Sequence, residues 1–467
     1  MRAHEAGWAH SETGRGPSWL RAPADVNELV PHLWSATARR NEKGALEVGG
    51  VDVRRLVAEH GSPAYVLDEA DFRDRARAFR EGFSDYEVFY AGKAFLCTAV
   101  ARWVAEEGLG LDVCSSGELT VALRAGFDPA RIGYHGNNKS FAELRRAVEA
   151  GVGRIVVDSF VEIDRLSEVA ANLGQTAAVM VRVTAGVEAH THDYIATAHE
   201  DQKFGFSITA GHAFEAVRRV EQAAGLEVRG LHSHIGSQIF DTAGFEVAAR
   251  RVLALHARVS NELGVEMPEL DLGGGFGIAY TTQDDPTHPA QLATELTEIV
   301  EHECDALELP MPALSVEPGR AIVGPSMCTV YEVGTVKQVD LDAGAERAYV
   351  SVDGGMSDNL RTALYDADYS CTIASRRSEA TPVLSRVVGK HCEAGDIVVK
   401  DEFVAADIAP GDLLAVPGTG AYCRSMASNY NHALRPPVVA VARGASRTLL
   451  RRETEEDLLA TDIGHVG

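Results

Sequence analysis

The chain has 467 residues, with 44 Lys and Arg against 68 Asp and Glu and a formal net charge of −24 at pH 7. Such an excess of acid repels nucleic-acid phosphates and anionic membrane surfaces, and no basic patch in the sequence offsets it. Hydrophobic residues at 45% and charged residues at 24% are ordinary for a chain with a sizeable core, which excludes disorder throughout.

Residues 1–20 mix His, Glu, Gly, Ser and Trp with no continuous apolar run. They are expected to form a mobile arm, not a secretory leader. No stretch approaches the ~18 apolar residues of a membrane span. The seven cysteines, odd in number and without a C-x-x-C pair, read as free thiols of a cytoplasmic protein. Residues 51–59 have the pattern of a short helix and 63–67 that of a strand.

From residue 87 a regular alternation begins. Strands are expected at 87–91, 110–114, 131–135, 154–157, 177–183, 228–234, 269–272 and 313–317. Amphipathic helices are expected between them at 94–107, 118–125, 141–150, 161–173, 214–224, 247–263 and 292–307. Strands that alternate with helices in this way predict an α/β fold, and over ~250 residues a closed (β/α)8 TIM barrel is favoured over an open sheet. The barrel is placed at 68–327. After Pro325 short β-rich runs at 330–339, 348–352, 383–388, 397–400, 413–416 and 438–441, broken by Gly, Pro and Asp, predict a mostly β C-terminal domain over 328–467.

Barrel enzymes carry their chemistry where the strands end. The expected strand ends carry Lys93, Asp112, His135, Arg182, His232 and His234, the glycine-rich run 273–277, and Glu317 with Gly319 and Arg320. A lysine after a buried strand is suited to a Schiff base if desolvation lowers its ammonium pKa, although one lysine alone is more simply a rim residue. Glycines after the seventh strand let backbone N–H groups approach an anion, but lack the spacing of a dinucleotide site. His232 and His234 share one face of a strand and could ligate a metal, which makes a metal-dependent barrel hydrolase the rival reading. That rival lacks a third and fourth ligand unless Asp271 is recruited, and no metal is expected. Glu317 and Arg320 could form a plain ion pair at the rim. Taken together, a lysine, a glycine nest, a histidine for a ring face and a carboxylate for a ring nitrogen are the supports that pyridoxal phosphate requires.

The motifs Tyr90-Ala91-Gly92-Lys93-Ala94, Asp112 to Glu118, His232-Ser233-His234-Ile235-Gly236-Ser237-Gln238, Gly273 to Gly277, Glu317-Pro318-Gly319-Arg320, Cys392-Glu393 and Gly420-Ala421-Tyr422 occur in this order. Together they resemble the pyridoxal-phosphate-dependent amino-acid decarboxylases of the alanine-racemase fold (group IV), above all the branch that acts on diaminopimelate. The resemblance runs from about residue 27 to the C-terminus. It implies that Lys93 carries the cofactor as an imine and that His234 stacks on its ring. Ser237, Gly274, Gly275 and the backbone from Glu317 through Gly319 to Arg320 would hold the phosphate, with Tyr422 closing over it. Glu317 would face the pyridine nitrogen, where racemases of this fold carry an arginine, and would favour decarboxylation. Asp112, Glu118 and Arg182 resemble residues that orient the histidine and lysine.

The resemblance further implies that Cys392 returns a proton to the substrate carbon. Arg320, Arg361 and Tyr365 would clamp a second carboxylate and Glu393 a distal ammonium, with Tyr422 also against the substrate. The reaction implied is meso-2,6-diaminopimelate to L-lysine and carbon dioxide, in a homodimer whose active sites are shared, with Cys392 and Glu393 reaching the partner. Residues 21–67 would join the C-terminal domain, expected to be β-sandwich or Greek-key-like. The alternatives are a decarboxylase of ornithine or arginine and a non-catalytic cofactor-binding relative. Two departures from the family pattern are Thr362 in place of proline and Ala394 in place of serine.

Overall fold

The computed structural model describes residues 16–186, 203–340 and 346–464. The chain divides into two compact units, one of residues 73–277 and 286–322, the other of residues 1–72, 278–285 and 323–467. The expected arm at 1–20 lies mostly outside the described residues, as 1–15 is not among them.

The first unit is built on eight strands: β1 (Tyr86–Ala91), β2 (Gly110–Val113), β3 (Ile132–Tyr134), β4 (Arg154–Val157), β5 (Ala177–Thr184), β6 (Leu226–Ser233), β7 (Glu269–Asp271) and β8 (Ala313–Val316). Each pairs in parallel with the next, and β8 pairs with β1, so the sheet closes on itself. The fold class read from the strand–helix alternation is therefore the one observed, with each strand within two residues of its expected bounds. Local sequence sets the helix ends. Ser115, Ser140 and Ser159 accept an N–H from the residue three further on, and Gly126, Gly151 and Gly174 end the same three helices in the left-handed conformation.

Besides a few helices of four or five residues, one long helix escaped the sequence reading, Glu69–Gly82. Its many charged residues mask the apolar spacing of Phe72, Ala76 and Phe79, all of which are buried. The helix expected at 94–107 starts only at Thr98, because 92–97 forms a turn in which the Tyr90 hydroxyl donates to the Phe95 carbonyl at 2.7 Å.

The barrel interior is partly polar. Arg154 of β4 reaches across to Asp271 of β7 at 2.5 Å and donates to Ser315 Oγ of β8 at 3.1 Å, while Ser315 donates to the same Asp271 oxygen at 2.8 Å. The guanidinium also lies 3.8 Å from the ring centre of Phe89. Arg154, Asp271 and Ser315 are all buried, and although Arg154 Nε makes no hydrogen bond, the charges themselves are paired, which is the condition under which an interior ion pair is tolerated.

The second unit is mostly β. Its spine is the long strand Met327–Asp340, whose first residues pair with Ala64–Asp68 and with Leu413–Pro417, and whose remainder pairs with Glu346–Val352. The strand Ala64–Asp68 also pairs in parallel with Val438–Ala442. A cluster including Trp34, Leu46, Leu56, Val66, Val330 and Val439 forms its core. Residues 278–285, within the barrel range of the sequence reading, belong to this unit, where Tyr280 packs edge-on against Tyr369 at 5.1 Å.

Removing Arg154 leaves Asp271 buried without its cation. Arg154→Met is expected to destabilise the barrel by about 3–5 kcal/mol. Removing the exposed partner of Glu215 with Arg218→Ala is expected to leave stability nearly unchanged. Urea unfolding monitored on the barrel checks both, and equal small losses would contradict the role of the plug.

Candidate active site

The polar residues gather at the C-terminal ends of the barrel strands, where the backbone is tied strand to strand. Gly92 N–H donates to the Asp112 carbonyl at 2.9 Å, Ala91 N–H to the Pro318 carbonyl at 3.1 Å, and Glu317 N–H to the Gly273 carbonyl at 2.9 Å. Lys93 stands in the first of these loops with its side chain exposed. The desolvation expected of it from sequence is not seen, because the buried strand ends at Ala91 and the turn carries the lysine clear of it.

Glycine is required in the run after β7. A Cβ at Gly274 would lie 2.2 Å from the Glu317 carbonyl oxygen, and one at Gly275 would lie 2.5 Å from the Gly236 oxygen. Gly275 also has a φ of +109°, a region that L side chains rarely enter. The run therefore packs directly against the backbone of the His234–Ser237 loop and of Glu317. Beside it Arg320 donates to Ser237 Oγ at 2.7 Å, so the rim ion pair with Glu317 is not what this arginine makes. Gly319 closes the same mouth, since a Cβ there would meet the Ala91 carbonyl oxygen at 2.8 Å.

His234 is held by backbone. Its Nδ1 accepts the Gly274 N–H at 3.1 Å, so that nitrogen carries no proton and the neutral ring bears its hydrogen on Nε2. Loss of hydration, then the charges of Lys93 and Arg182, hold its pKa well below the ordinary histidine value. Arg182 lies 3.9 Å from Asp158 and 4.4 Å from the ring centre of Phe204. Glu118 accepts the Cys114 N–H at 2.7 Å and so fixes the end of β2.

Glu317 is buried between two imidazoles. Its Oε1 is 3.0 Å from His232 Nε2 and 3.3 Å from His135 Nε2, and the His135 nitrogen is also 3.2 Å from Asp112 Oδ1. These contacts are close enough for attraction but are angled so that Glu317 Oε1, the His135 and His232 Nε2 atoms and both Asp112 oxygens make no hydrogen bond. Burial raises the Glu317 pKa, but His135 and His232 outweigh it and hold the carboxyl well below its ordinary range. Asp112 is pushed well above its ordinary value by burial and then by Glu317. The pair is thus arranged as one charged and one neutral acid.

His135, named in the sequence only as a strand end, is the residue that links the two acids. Its signal was its position alone. Asp271, the extra ligand that a metal hydrolase needed, is already bound by Arg154, Ser315 and the Gly273 N–H, the last at 2.7 Å. The potential donor atoms that do converge, on His135, His232 and Glu317, lie within 4.8 Å of one another and leave out His234.

The remaining expected residues belong to the second unit. Arg361 is buried in the short helix Arg361–Tyr365, donates to the Tyr369 hydroxyl at 2.6 Å, and lies 4.2 Å from the ring centre of Tyr280. Burial opposes its charge, yet the Tyr280 and Tyr369 phenols and the Cys423 thiol outweigh it and raise its pKa. Among the described residues it has no acidic partner, and its Nε makes no hydrogen bond. The phenols at the guanidinium are thus Tyr280 and Tyr369, while Tyr365, expected with Arg361 around a substrate carboxylate, is half-buried at the end of the helix. The sequence missed both because one lies 81 positions before Arg361 and the other beyond the helix end. Thr362 donates to the Val398 carbonyl at 3.0 Å, a bond that the expected proline could not make. Cys392, Glu393 and Ala394 are exposed, and Tyr422 is half-buried with a left-handed φ of 61°.

The barrel mouth suits pyridoxal phosphate on its own geometry. The glycine cradle with Ser237 and Arg320 matches a phosphate, and the unbonded Glu317 oxygen matches a ring N–H. Fold and site together define a pyridoxal-phosphate-dependent decarboxylase, and residues 69–324 match the family described as "Pyridoxal-dependent decarboxylase, pyridoxal binding domain".

Within that class the chain belongs to the diaminopimelate decarboxylase family. It is 53% identical to the diaminopimelate decarboxylase of Mycobacterium leprae over 99% of this chain and 100% of that protein. It is 56% identical to that of Mycobacterium tuberculosis, over 94% and 99%, and 44% identical to that of Bacillus subtilis, over 91% and 97%. Among solved structures, diaminopimelate decarboxylase of M. jannaschii in complex with L-lysine superposes with a TM-score of 0.85 at 30% identity, covering 92% of this chain and 98% of that one. The lysine/ornithine decarboxylase of Vibrio vulnificus, at 22% identity over 84% of this chain and 97% of that one with a TM-score of 0.69, shares the fold.

The two histidines make the site sensitive to acid. Burial, only partly offset by Glu317, lowers His135 to about 4. The unfolded chain takes up this proton near pH 6.5 and the folded chain only near 4, so the stability concerned is complete above 6.5 and is lost as pH falls from 6.5 to 4. His234 acts with the same sign. His135→Gln is expected to flatten this part of a stability-versus-pH curve obtained from denaturant melts, and an unchanged slope would refute the assignment.

Proposed function

We propose that this chain decarboxylates meso-2,6-diaminopimelate to L-lysine and carbon dioxide. The observation that carries the reading is the near-full-length identity of 44–56% to relatives that bear this activity in their names. Solved relatives complexed with L-lysine, the product of that reaction, support it.

Pyridoxal phosphate, when bound, supplies the sink for the electron pair released with carbon dioxide. The chain's own groups do the rest. The Lys93 amine holds the cofactor's aldehyde carbon. The N–H groups of Gly274, Gly275 and Gly319, with Ser237 and Arg320, bind its phosphate, and Tyr422 covers it. His234 packs against the ring face as a neutral imidazole. The Glu317 carboxylate keeps a proton on the ring nitrogen, which strengthens the sink, and Asp112 and Arg182 set the local field around it. The Cys392 thiol returns a proton to the carbon that lost its carboxylate.

At the distal end, Arg361 is a buried guanidinium with no acidic partner among the described residues, which suits it to a substrate carboxylate. Arg320 and Tyr365 complete that clamp, Glu393 takes the distal ammonium, and Tyr422 also contacts the substrate. A substrate with a zwitterionic far end satisfies both requirements, whereas ornithine and arginine offer no carboxylate there. The working unit is a homodimer in which Cys392 and Glu393 serve the partner's site. No described helix is long and apolar enough to cross a membrane, and the described cysteines are free. We place the enzyme in the cytoplasm, with no nucleic-acid partner.

The test is carbon dioxide release from meso-diaminopimelate, ornithine and arginine. Release is expected to be fastest with diaminopimelate, to yield lysine, and to fall at least about a thousandfold in Lys93→Ala. Faster release from ornithine would overturn the substrate. Borohydride treatment is expected to fix the cofactor on Lys93, and covalent retention by Lys93→Ala would overturn the role of the lysine.

A further inference from the structure

Cys392 is exposed, yet the backbone beneath it is held on every side. The preceding residue, His391, is buried, with its ring pinned at both nitrogens: Nε2 lies 2.8 Å from Ser357 Oγ and Nδ1 lies 3.1 Å from Asn431 Oδ1. The Cys392 N–H donates to the same Asn431 oxygen at 3.4 Å. A backbone N–H can only donate, so the atom facing the loop is the amide oxygen, and His391 Nδ1 must carry a proton toward it. In the neutral ring Nε2 then accepts from the Ser357 hydroxyl. One side-chain oxygen thereby ties the His391 ring and the Cys392 N–H together.

The rest of the loop is equally constrained. Asp396 accepts the His391 N–H at 2.7 Å and the Met356 N–H at 2.6 Å. The Gly389 N–H donates to the Asp396 carbonyl at 2.9 Å, and the Glu393 N–H to the His391 carbonyl at 2.8 Å. Gly389 allows this closeness, since a Cβ there would sit 2.2 Å from an Asp396 oxygen. Asn431 itself adopts a φ of 51°, a conformation that asparagine tolerates better than most residues. Backbone strain and full hydrogen bonding are thus spent beneath a single exposed thiol.

We propose that His391 and Asn431 are positioning residues for the Cys392 thiol, fixing the peptide that bears it so that its proton reaches one face of the substrate carbon. The inference rests on Cys392 as the proton donor. A donor displaced by about 1 Å loses roughly a hundredfold in a step that depends on alignment, and a loosened donor also loses its facial selectivity.

The experiment uses the cofactor-loaded enzyme with meso-diaminopimelate in D2O. The carbon that loses its carboxylate becomes a CHD group in lysine, and NMR shows which of its two hydrogens is deuterium. In the wild type a single stereoisomer is expected. His391→Gln reaches only the Ser357 end, and should lower kcat roughly ten- to a hundredfold with KM within about twofold, give both stereoisomers, and speed amide exchange at the Cys392 peptide. His391→Asn reaches the Asn431 end and should restore most of kcat and the single stereoisomer. If His391→Gln does not fold, Asn431→Gly, which tolerates the same left-handed φ but removes the oxygen that ties the ring to the Cys392 N–H, should give the same mixed product and a similar fall in kcat. A single stereoisomer and wild-type kcat in the folded variant would overturn the proposal. The Cys392→Ala protein separates the two readings. If it too keeps rate and stereochemistry, the proton-donor reading falls; if it alone loses them, only the positioning proposal falls.

Discussion

A buried negative charge at Glu317 is the constraint around which the barrel is organised. A carboxylate taken out of water would ordinarily recover a proton. Here two imidazoles stand within 3.3 Å of it, and the neighbouring acid, Asp112, is the one pushed toward its neutral form. The same carboxylate's backbone is fixed by the Gly273 carbonyl, and its own carbonyl is what forbids a side chain at Gly274. Charge and backbone at this one residue therefore fix both the glycine run and the buried carboxylate at the barrel mouth.

The interior plug supports this arrangement from below. Asp271 spends one oxygen on Arg154 and Ser315 and the other on the Gly273 N–H. A polar group deep in the barrel thus sets the start of the glycine run at its mouth. Core stability and site geometry share these atoms, so a substitution in the plug reaches the cradle through Gly273.

Much of the barrel was legible because short apolar strands alternate regularly with amphipathic stretches, and three of the helices carry serine caps and glycine stops. Lys93, His234, the glycine run and Glu317 were legible as polar residues at strand ends. What stayed hidden has physical reasons. The helix Glu69–Gly82 is rich in charge, so its buried stripe is narrow. His135, Arg154 and Asp271 meet only once the barrel closes, and no spacing along the chain announces that closure. Tyr280 meets Arg361 because residues 278–285 leave the barrel for the β unit, a detour that hydrophobic pattern does not record. Lys93 could be read from sequence either as desolvated or as a rim residue, because the strand pattern says nothing of where a turn carries the next side chain.

The tether on His234 has an evolutionary consequence. Its tautomer is imposed by a main-chain N–H, where most histidines rely on a neighbouring carboxylate or hydroxyl. A peptide N–H survives every substitution except proline, but this one belongs to Gly274, where a Cβ would lie 2.2 Å from the Glu317 carbonyl oxygen. The protonation pattern of the His234 ring therefore hangs on one glycine, and a side chain at that position would disturb the tautomer of the ring together with the backbone of Glu317.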